Sequence, residues 1–325
     1  PPIRVSKPDT RSVLRVPREI RVKQAFISPH QGGTVTSATA NCGTLMFSTL
    51  RGVFAITLVT LNTLIFCPIL YIVALLRLVG DSEHRGRVTR LMNTLAEGWI
   101  DNNNRALDLT QRVDIEAELP ANLSQDTWYL VFCNHQSWTD ILILQRVFRG
   151  QIPMLKFFIK RELLYVPALG LAWWLLDFPV MRRYSRDVLA RRPELAGKDL
   201  EATARSSQKF ALTPVAVLNF LEGTRFTPAK RASQNSPFTH LLRPKSGGAA
   251  LVVNTLAERI SCVIDVTISY SGPMGFWDFL CGRTGPIKVK AVTRAVPERF
   301  IGGDYENNRA HKAAFQQWVS GIWEE

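Results

Sequence analysis

Apolar and polar positions along this chain follow two periods. Runs at Trp128–Cys133, Pro214–Phe220 and Cys262–Tyr270 are nearly continuous in apolar residues, as expected of strands covered on both faces. Asp140–Phe148, Leu200–Leu212 and Ser246–Arg259 instead repeat their apolar residues at helical spacing. The alternation predicts an α/β domain, with a mixed, largely parallel sheet covered by helices. Pro286–Val296 predicts a further strand, and Asn307–Trp323 a closing amphipathic helix.

Ahead of this domain, Gly52–Leu76 contains no charged residue and is long enough to cross the roughly 30 Å hydrocarbon layer as a helix. A single transmembrane helix is the first expectation. Asn62 and Pro68 interrupt the run, so a bent helix or a helical hairpin resting in one leaflet is the alternative. A cleaved signal peptide does not fit, because the apolar core is too long and no small-residue cleavage pattern follows it. The chain therefore divides into a basic, disordered tail (1–44), a membrane segment (45–79) and a catalytic domain (80–325). The tail holds seven Lys and Arg against two acids, and the first methionine is Met46. Its start reads as a fragment or an over-early start site, and the end at Trp323-Glu324-Glu325 reads as a truncated helix.

With 325 residues and 46% hydrophobic content, the chain can bury one large core or two modest ones. Five cysteines without a Cys-x-x-Cys pair suggest neither a disulfide framework nor a zinc site, and five scattered histidines suggest no metal cluster. A net charge of +13 calls for an anionic partner. Nucleic acid is disfavoured, since no helix-turn-helix, zinc-finger or RNA-recognition signature is present. Anionic lipid remains, and the densest basic stretch, Arg182 to Arg192, suits it.

Candidate chemistry lies where two apolar runs end. The first run opens into Asn134-His135-Gln136-Ser137-Trp138-Thr139-Asp140. A strand ending at His135 lifts its imidazole to the rim of the sheet, where open α/β folds bind ligands. Asp140, about one turn into the next helix, is placed to accept Nδ1–H and fix the tautomer. Ser137 suits a helix cap and lacks the Gly-x-Ser-x-Gly elbow of a nucleophile. Trp138 suits packing at a bilayer interface. The second run breaks at Phe220-Leu221-Glu222-Gly223-Thr224-Arg225, where a glycine permits close backbone approach and an arginine offers a planar fork for phosphate.

Together these two blocks resemble the lysophospholipid acyltransferase family, whose hallmark pair is Asn-His-x4-Asp and Phe-Pro-Glu-Gly-Thr-Arg. Lys160-Arg161-Glu162-Leu163 with Pro167 and Gly170 is similar to a further family stretch, and Phe178 to Arg183 falls at its substrate block. Leu221 and Asp265 each replace a usual proline. The Asp265-Val266-Thr267 version looks more like the lysocardiolipin-type and bacterial inner-membrane branches.

The resemblance implies a glycerolipid acyltransferase fold and an O-acyltransferase of phospholipid synthesis or remodelling. An acyl group would pass from acyl-CoA or acyl-carrier protein to a lysophospholipid hydroxyl, with no cofactor beyond that co-substrate. It implies His135 as general base and Asp140 as its partner. Arg183, Glu222, Gly223, Thr224, Arg225 and Lys160 would bind the acceptor, with Arg182 as a substitute for Arg183. Lys245 either touches phosphate or sits solvated, and Glu222 either binds substrate or ties down its turn. Backbone amides after His135 are candidates for an oxyanion hole. Expected partners are the lysophospholipid, the thioester donor and membrane lipids. The expected location is the inner membrane, facing the cytoplasm. A thioesterase or phosphoester hydrolase using the same pair, and a non-catalytic lipid-binding protein, are the rival readings.

Overall fold

The computed structural model describes residues 4–6, 42–181, 191, 210, 213–256, 259–273, 275–305 and 307–325. Its sheet contains β1 (Arg4–Ser6), β2 (Ile115–Glu118), β3 (Trp128–Cys133), β4 (Leu155–Phe157), β7 (Ala216–Phe220), β8 (Ile260–Tyr270) and β9 (Ile287–Arg294), while β5 (Ile159–Lys160) and β6 (Val180–Met181) pair separately. The order across the large sheet is β1-β2-β9-β8-β3-β7-β4, and among its described pairings only β8–β9 is antiparallel. The mixed, largely parallel sheet expected from the apolar runs is therefore present. Arg4–Ser6, in the stretch read as a disordered tail, instead extends the sheet edge beside β2.

Central β3 explains why its run is apolar throughout. Alternate side chains leave a strand on opposite faces, so Val131 and Cys133 enter one core while Leu130 and Phe132 enter the other. Helix α3 (Thr139–Phe148) covers the first face; α6 (Gly247–Leu256) and α8 (Arg309–Glu324) cover the second. Short helices α4 (Leu169–Leu175), α5 (Pro228–Ser233) and α7 (Phe276–Leu280) complete the described helical set around them, apart from two long helices at the front. The helix expected at Leu200–Leu212 lies largely outside the described residues.

The apolar front run forms one unbroken helix, α1 (Cys42–Leu75), with Pro68 accommodated inside it. At 1.5 Å per residue its length is about 51 Å. A second helix, α2 (Ser82–Thr110), was not read from the sequence. Asp81 caps it by accepting the His84 amide at 2.8 Å, and Val88, Met92, Ala96, Ile100 and Leu107 form its buried stripe.

The two helices run antiparallel. Asn62 donates to the Trp99 carbonyl (2.9 Å) and to Asn103 Oδ1 (2.8 Å), Trp99 donates to Thr63 Oγ1 (3.1 Å), and Phe66 lies 5.8 Å from Trp99 between ring centroids. Asn62 is thus an interhelical tie and does not break α1. Nor is α1 detached from the domain: Ala55, Phe66, Cys67 and Leu70 belong to the same core as Val131 and Leu218. A Cβ on Gly52 would lie 2.6 Å from Cys281 Sγ, so α1 and α7 approach closely only because residue 52 has none.

Ion pairs link this front end to α3. Arg149, just past that helix, donates from Nε and Nη2 to the two oxygens of Asp101 at 2.8 and 2.9 Å, and Arg146 reaches Asp108 at 2.6 Å.

Candidate active site

His135 leaves the carboxyl end of β3 and Glu222–Arg225 leaves that of β7, and these strands are parallel neighbours. The two turns therefore emerge side by side. They line one cleft of about 230 Å³, floored by Leu218 and Phe220 and walled by Ile141, Phe157 and Leu163. His135, Trp138, Lys160, Gly223, Thr224 and Arg225 also line it, together with Glu162 and Asn219. The imidazole stacks on Phe220, with centroids 4.0 Å apart and planes 17° from parallel.

Asp140 is fully buried and faces the ring as expected, with Oδ2 2.8 Å from His135 Nδ1. An ionised carboxylate only accepts, so Nδ1 is the donor of this bond, and in the neutral ring Nε2 is the nitrogen that carries the lone pair. The same Oδ2 accepts the Gln136 and Ser137 amides at 2.7 and 2.9 Å. These amides were candidates for an oxyanion hole, but the structure commits them to Asp140. Ser137 Oγ accepts the Thr139 amide at 3.1 Å, a turn bond just ahead of the helix; the N-cap position itself falls to Trp138, so Ser137 is not the cap its position suggested. On Oδ1, Asp140 accepts from Tyr270 at the end of β8, at 2.6 Å. The sequence reading did not single out Tyr270.

Asn134, the first residue of the motif, acts as an extra rung of sheet. Its Oδ1 accepts the Ile268 amide (2.8 Å) and its Nδ2 donates to the Ile268 carbonyl (3.0 Å). An asparagine offers both functions from one side chain, which explains why the motif can begin with it.

Of the two roles left open for Glu222, the structure supports the second, tying down its turn. Grouped with the acceptor-binding residues, it is fully buried behind the cleft. Oε1 accepts the His135 amide at 2.8 Å and Oε2 the Leu242 amide at 3.0 Å. It therefore joins the two turns and the following loop. Burial pushes its pKa up to about 8, against the two amide bonds that pull it down.

Gly223 adopts φ +66 and donates to the Phe220 carbonyl at 2.8 Å, a tight reversal that favours glycine. Thr224 accepts from Lys230 Nζ at 2.8 Å. The Arg225 guanidinium lies 5.2 Å from the Trp138 ring centroid, so Trp138 meets the candidate phosphate ligand at the cleft mouth. Lys160 sits on β5, and pairing with β6 places it opposite Met181, one residue before Arg182. Arg182 and Arg183 lie outside the described residues. Lys245 is exposed, and its backbone amide donates to the Leu221 carbonyl at 2.7 Å. Asp265 is in an ion pair with Arg294 at 3.2 Å. Among the described residues no group of three or more His, Cys, Asp or Glu is placed to hold a metal ion.

A parallel-rich α/β sheet thus brings an Asp140-bonded histidine and a cationic turn to one cleft. Residues 114–271 match the family model described as Acyltransferase. The 2-acyl-1-lysophosphatidylinositol acyltransferase of Saccharomyces cerevisiae is 25% identical over 239 residues, covering 60% of this chain and 59% of that one. Human 1-acyl-sn-glycerol-3-phosphate acyltransferase gamma is 28% identical over 134 residues, covering 38% and 32%. The crystal structure of the 1-acyl-sn-glycerophosphate (LPA) acyltransferase PlsC from Thermotoga maritima superposes with TM-score 0.53 at 17% identity, over 87% of this chain and 98% of that one. Over residues 114–271 the chain is similar to the acyltransferase family, and its fold is PlsC-like. It spans 59% of the length of the yeast relative and 32% of the human one.

Proposed function

We propose that this protein transfers a fatty acyl group from an acyl thioester, acyl-CoA or acyl-carrier protein, to the free hydroxyl of a lysophosphatidate-like acceptor. The observation that carries the reading is one cleft holding both the Asp140-oriented imidazole and the Arg225 guanidinium. His135 Nε2 takes the acceptor's hydroxyl proton as that oxygen attacks the thioester carbonyl. The C–S bond then breaks, and the departing thiolate takes the proton back from the imidazolium. No acyl-enzyme is required. Arg225 holds the acceptor phosphate through parallel hydrogen bonds, and the apolar wall around Phe157 and Leu163 receives alkyl chain.

The test follows thiol release from oleoyl-CoA by the full chain, with and without lysophosphatidate. Release should depend on the acceptor. Equal release without it overturns the reading in favour of hydrolysis. Arg225→Ala should raise KM for lysophosphatidate by about ten- to a hundredfold, the weight of a charged bidentate contact, with kcat nearly unchanged.

The reading includes membrane attachment. Leu61, Leu64, Ile65, Ile69 and Ile72 of α1 are exposed, as are Leu171 and Trp174 of α4. Alongside α1 runs α2, which carries Glu83, Arg85, Arg87, Arg90, Glu97 and Asp101. Charges along the partner helix disfavour a span shared by the pair and favour insertion of the apolar face into one leaflet. Manufacture of the thioester in the cytoplasm favours a domain on the cytoplasmic face of the inner (cytoplasmic) membrane. Ile65→Arg, at a residue 65% exposed, should weaken binding to phosphatidylglycerol-containing vesicles by roughly a hundredfold. Unchanged flotation with vesicles would remove α1 as the anchor.

A further inference from the structure

We propose that Tyr270 is a positioning residue of this active site, its hydroxyl fixing the Asp140 carboxylate so that His135 is held as the base; the inference rests on the acyl-transfer reading above. Asp140 Oδ2 alone receives His135 Nδ1 and the amides of Gln136 and Ser137. A carboxylate is symmetric, and a second, separate donor on the other oxygen fixes its rotation about Cβ–Cγ. Tyr270 supplies that donor at 2.6 Å, within the range of a charge-assisted O–H···O⁻ bond. The phenol must be the donor, since the ionised carboxylate has no proton to give.

Sheet register brings the phenol there. Cys133 pairs with Val266 at the end of the β3–β8 ladder, and the Asn134 side chain adds the bonds to Ile268. Val266 and Ile268 enter the same core as Val131 and Cys133, and Tyr270 continues that row toward Asp140. One motif residue thus locks the strand that carries the positioning group, while two others bear the base and its carboxylate. Tyr270 is not among the residues lining the cleft, so it acts through Asp140 without touching substrate. Burial, followed by the Asp140 charge and hydrogen bond, pushes its pKa well above the usual tyrosine value, and the phenol stays protonated. The other ionisable groups acting on this pair are Glu222, through space on Asp140, and Cys133 beside Tyr270; Lys230 acts on Glu222.

The hydroxyl draws negative charge away from Asp140, so its loss leaves a carboxylate that stabilises the imidazolium more strongly but aims it less well. In the full chain assayed with oleoyl-CoA and lysophosphatidate, Tyr270→Phe should lower kcat by about tenfold, leave KM for both substrates in place, and move the acid limb of the kcat/KM profile to higher pH. A fluorinated tyrosine at position 270, a stronger donor of the same shape, should move that limb the other way. Wild-type kcat and acid limb in Tyr270→Phe would overturn the proposal, as would a lowered kcat with an unmoved limb. If Tyr270→Phe fails to fold, the fluorinated variant decides, and an unmoved limb there overturns it. The acyl-transfer reading falls separately, through wild-type turnover in His135→Ala.

Discussion

His135→Ala should lower turnover by roughly 10² to 10⁴, the usual worth of a positioned general base, while the fold remains. Every structural tie made by residue 135 through its backbone survives the change. Its amide still donates to Glu222 and its carbonyl still accepts from the Phe226 amide at 2.7 Å. The losses are the stack on Phe220 and one bond to Asp140, which keeps the amides of Gln136 and Ser137. A stability cost of about 2 to 3 kcal/mol follows. Thiol release under saturating lysophosphatidate, read beside a thermal melt in the same detergent, separates chemistry from unfolding. Wild-type turnover in the variant would rule out the imidazole as base.

The second large effect falls on stability. Glu222→Ala removes the acceptor for two amides, His135 N and Leu242 N, at a fully buried position. Each orphaned amide costs about 1 to 3 kcal/mol, so the variant should lose about 2 to 6 kcal/mol and melt several degrees lower. A substrate ligand would instead raise KM and leave the melt alone, so the two measurements decide the residue's role.

Glu222 also gives the protein a pH signature. Its folded pKa of about 8 lies above the ordinary 4.5, so between these values the folded state holds more proton than the unfolded one. Its contribution to stability is present below pH 4.5 and is lost as pH rises through about 8. Glu222→Gln cannot ionise, and its melting temperature should decline less than that of the wild type across this window. Parallel curves for the two proteins would show that Glu222 titrates near its ordinary value.

Much of the fold was legible because burial on both sides of the central strands leaves an unmistakable apolar run. Trp128–Cys133 coincides with β3, and the expected Pro286–Val296 and Asn307–Trp323 narrow to β9 and α8. Helix α2 escaped notice because its stripe is thin and partly polar. Thr89 and Asn103 are buried within it, and their suitability for an interior follows only once α1 lies beside them. Within the site, residue type and spacing made His135, Asp140 and Arg225 candidates, and the likeness of the two blocks to the acyltransferase hallmarks singled them out. Glu222 could not be assigned that way, because a turn has an inner and an outer side and the order of residues does not say which side a carboxylate takes. Tyr270 depends on register between strands more than a hundred residues apart, information absent from any local window.

The joint core of α1 and the sheet bears on how the protein can be handled. Ala55, Phe66, Cys67 and Leu70 fill space against the same interior that supports Val131 and Leu218. Trimming away the front helix to obtain a more soluble fragment would bare an oily floor beneath the catalytic strands, and the shortened product would trade one sticky surface for another.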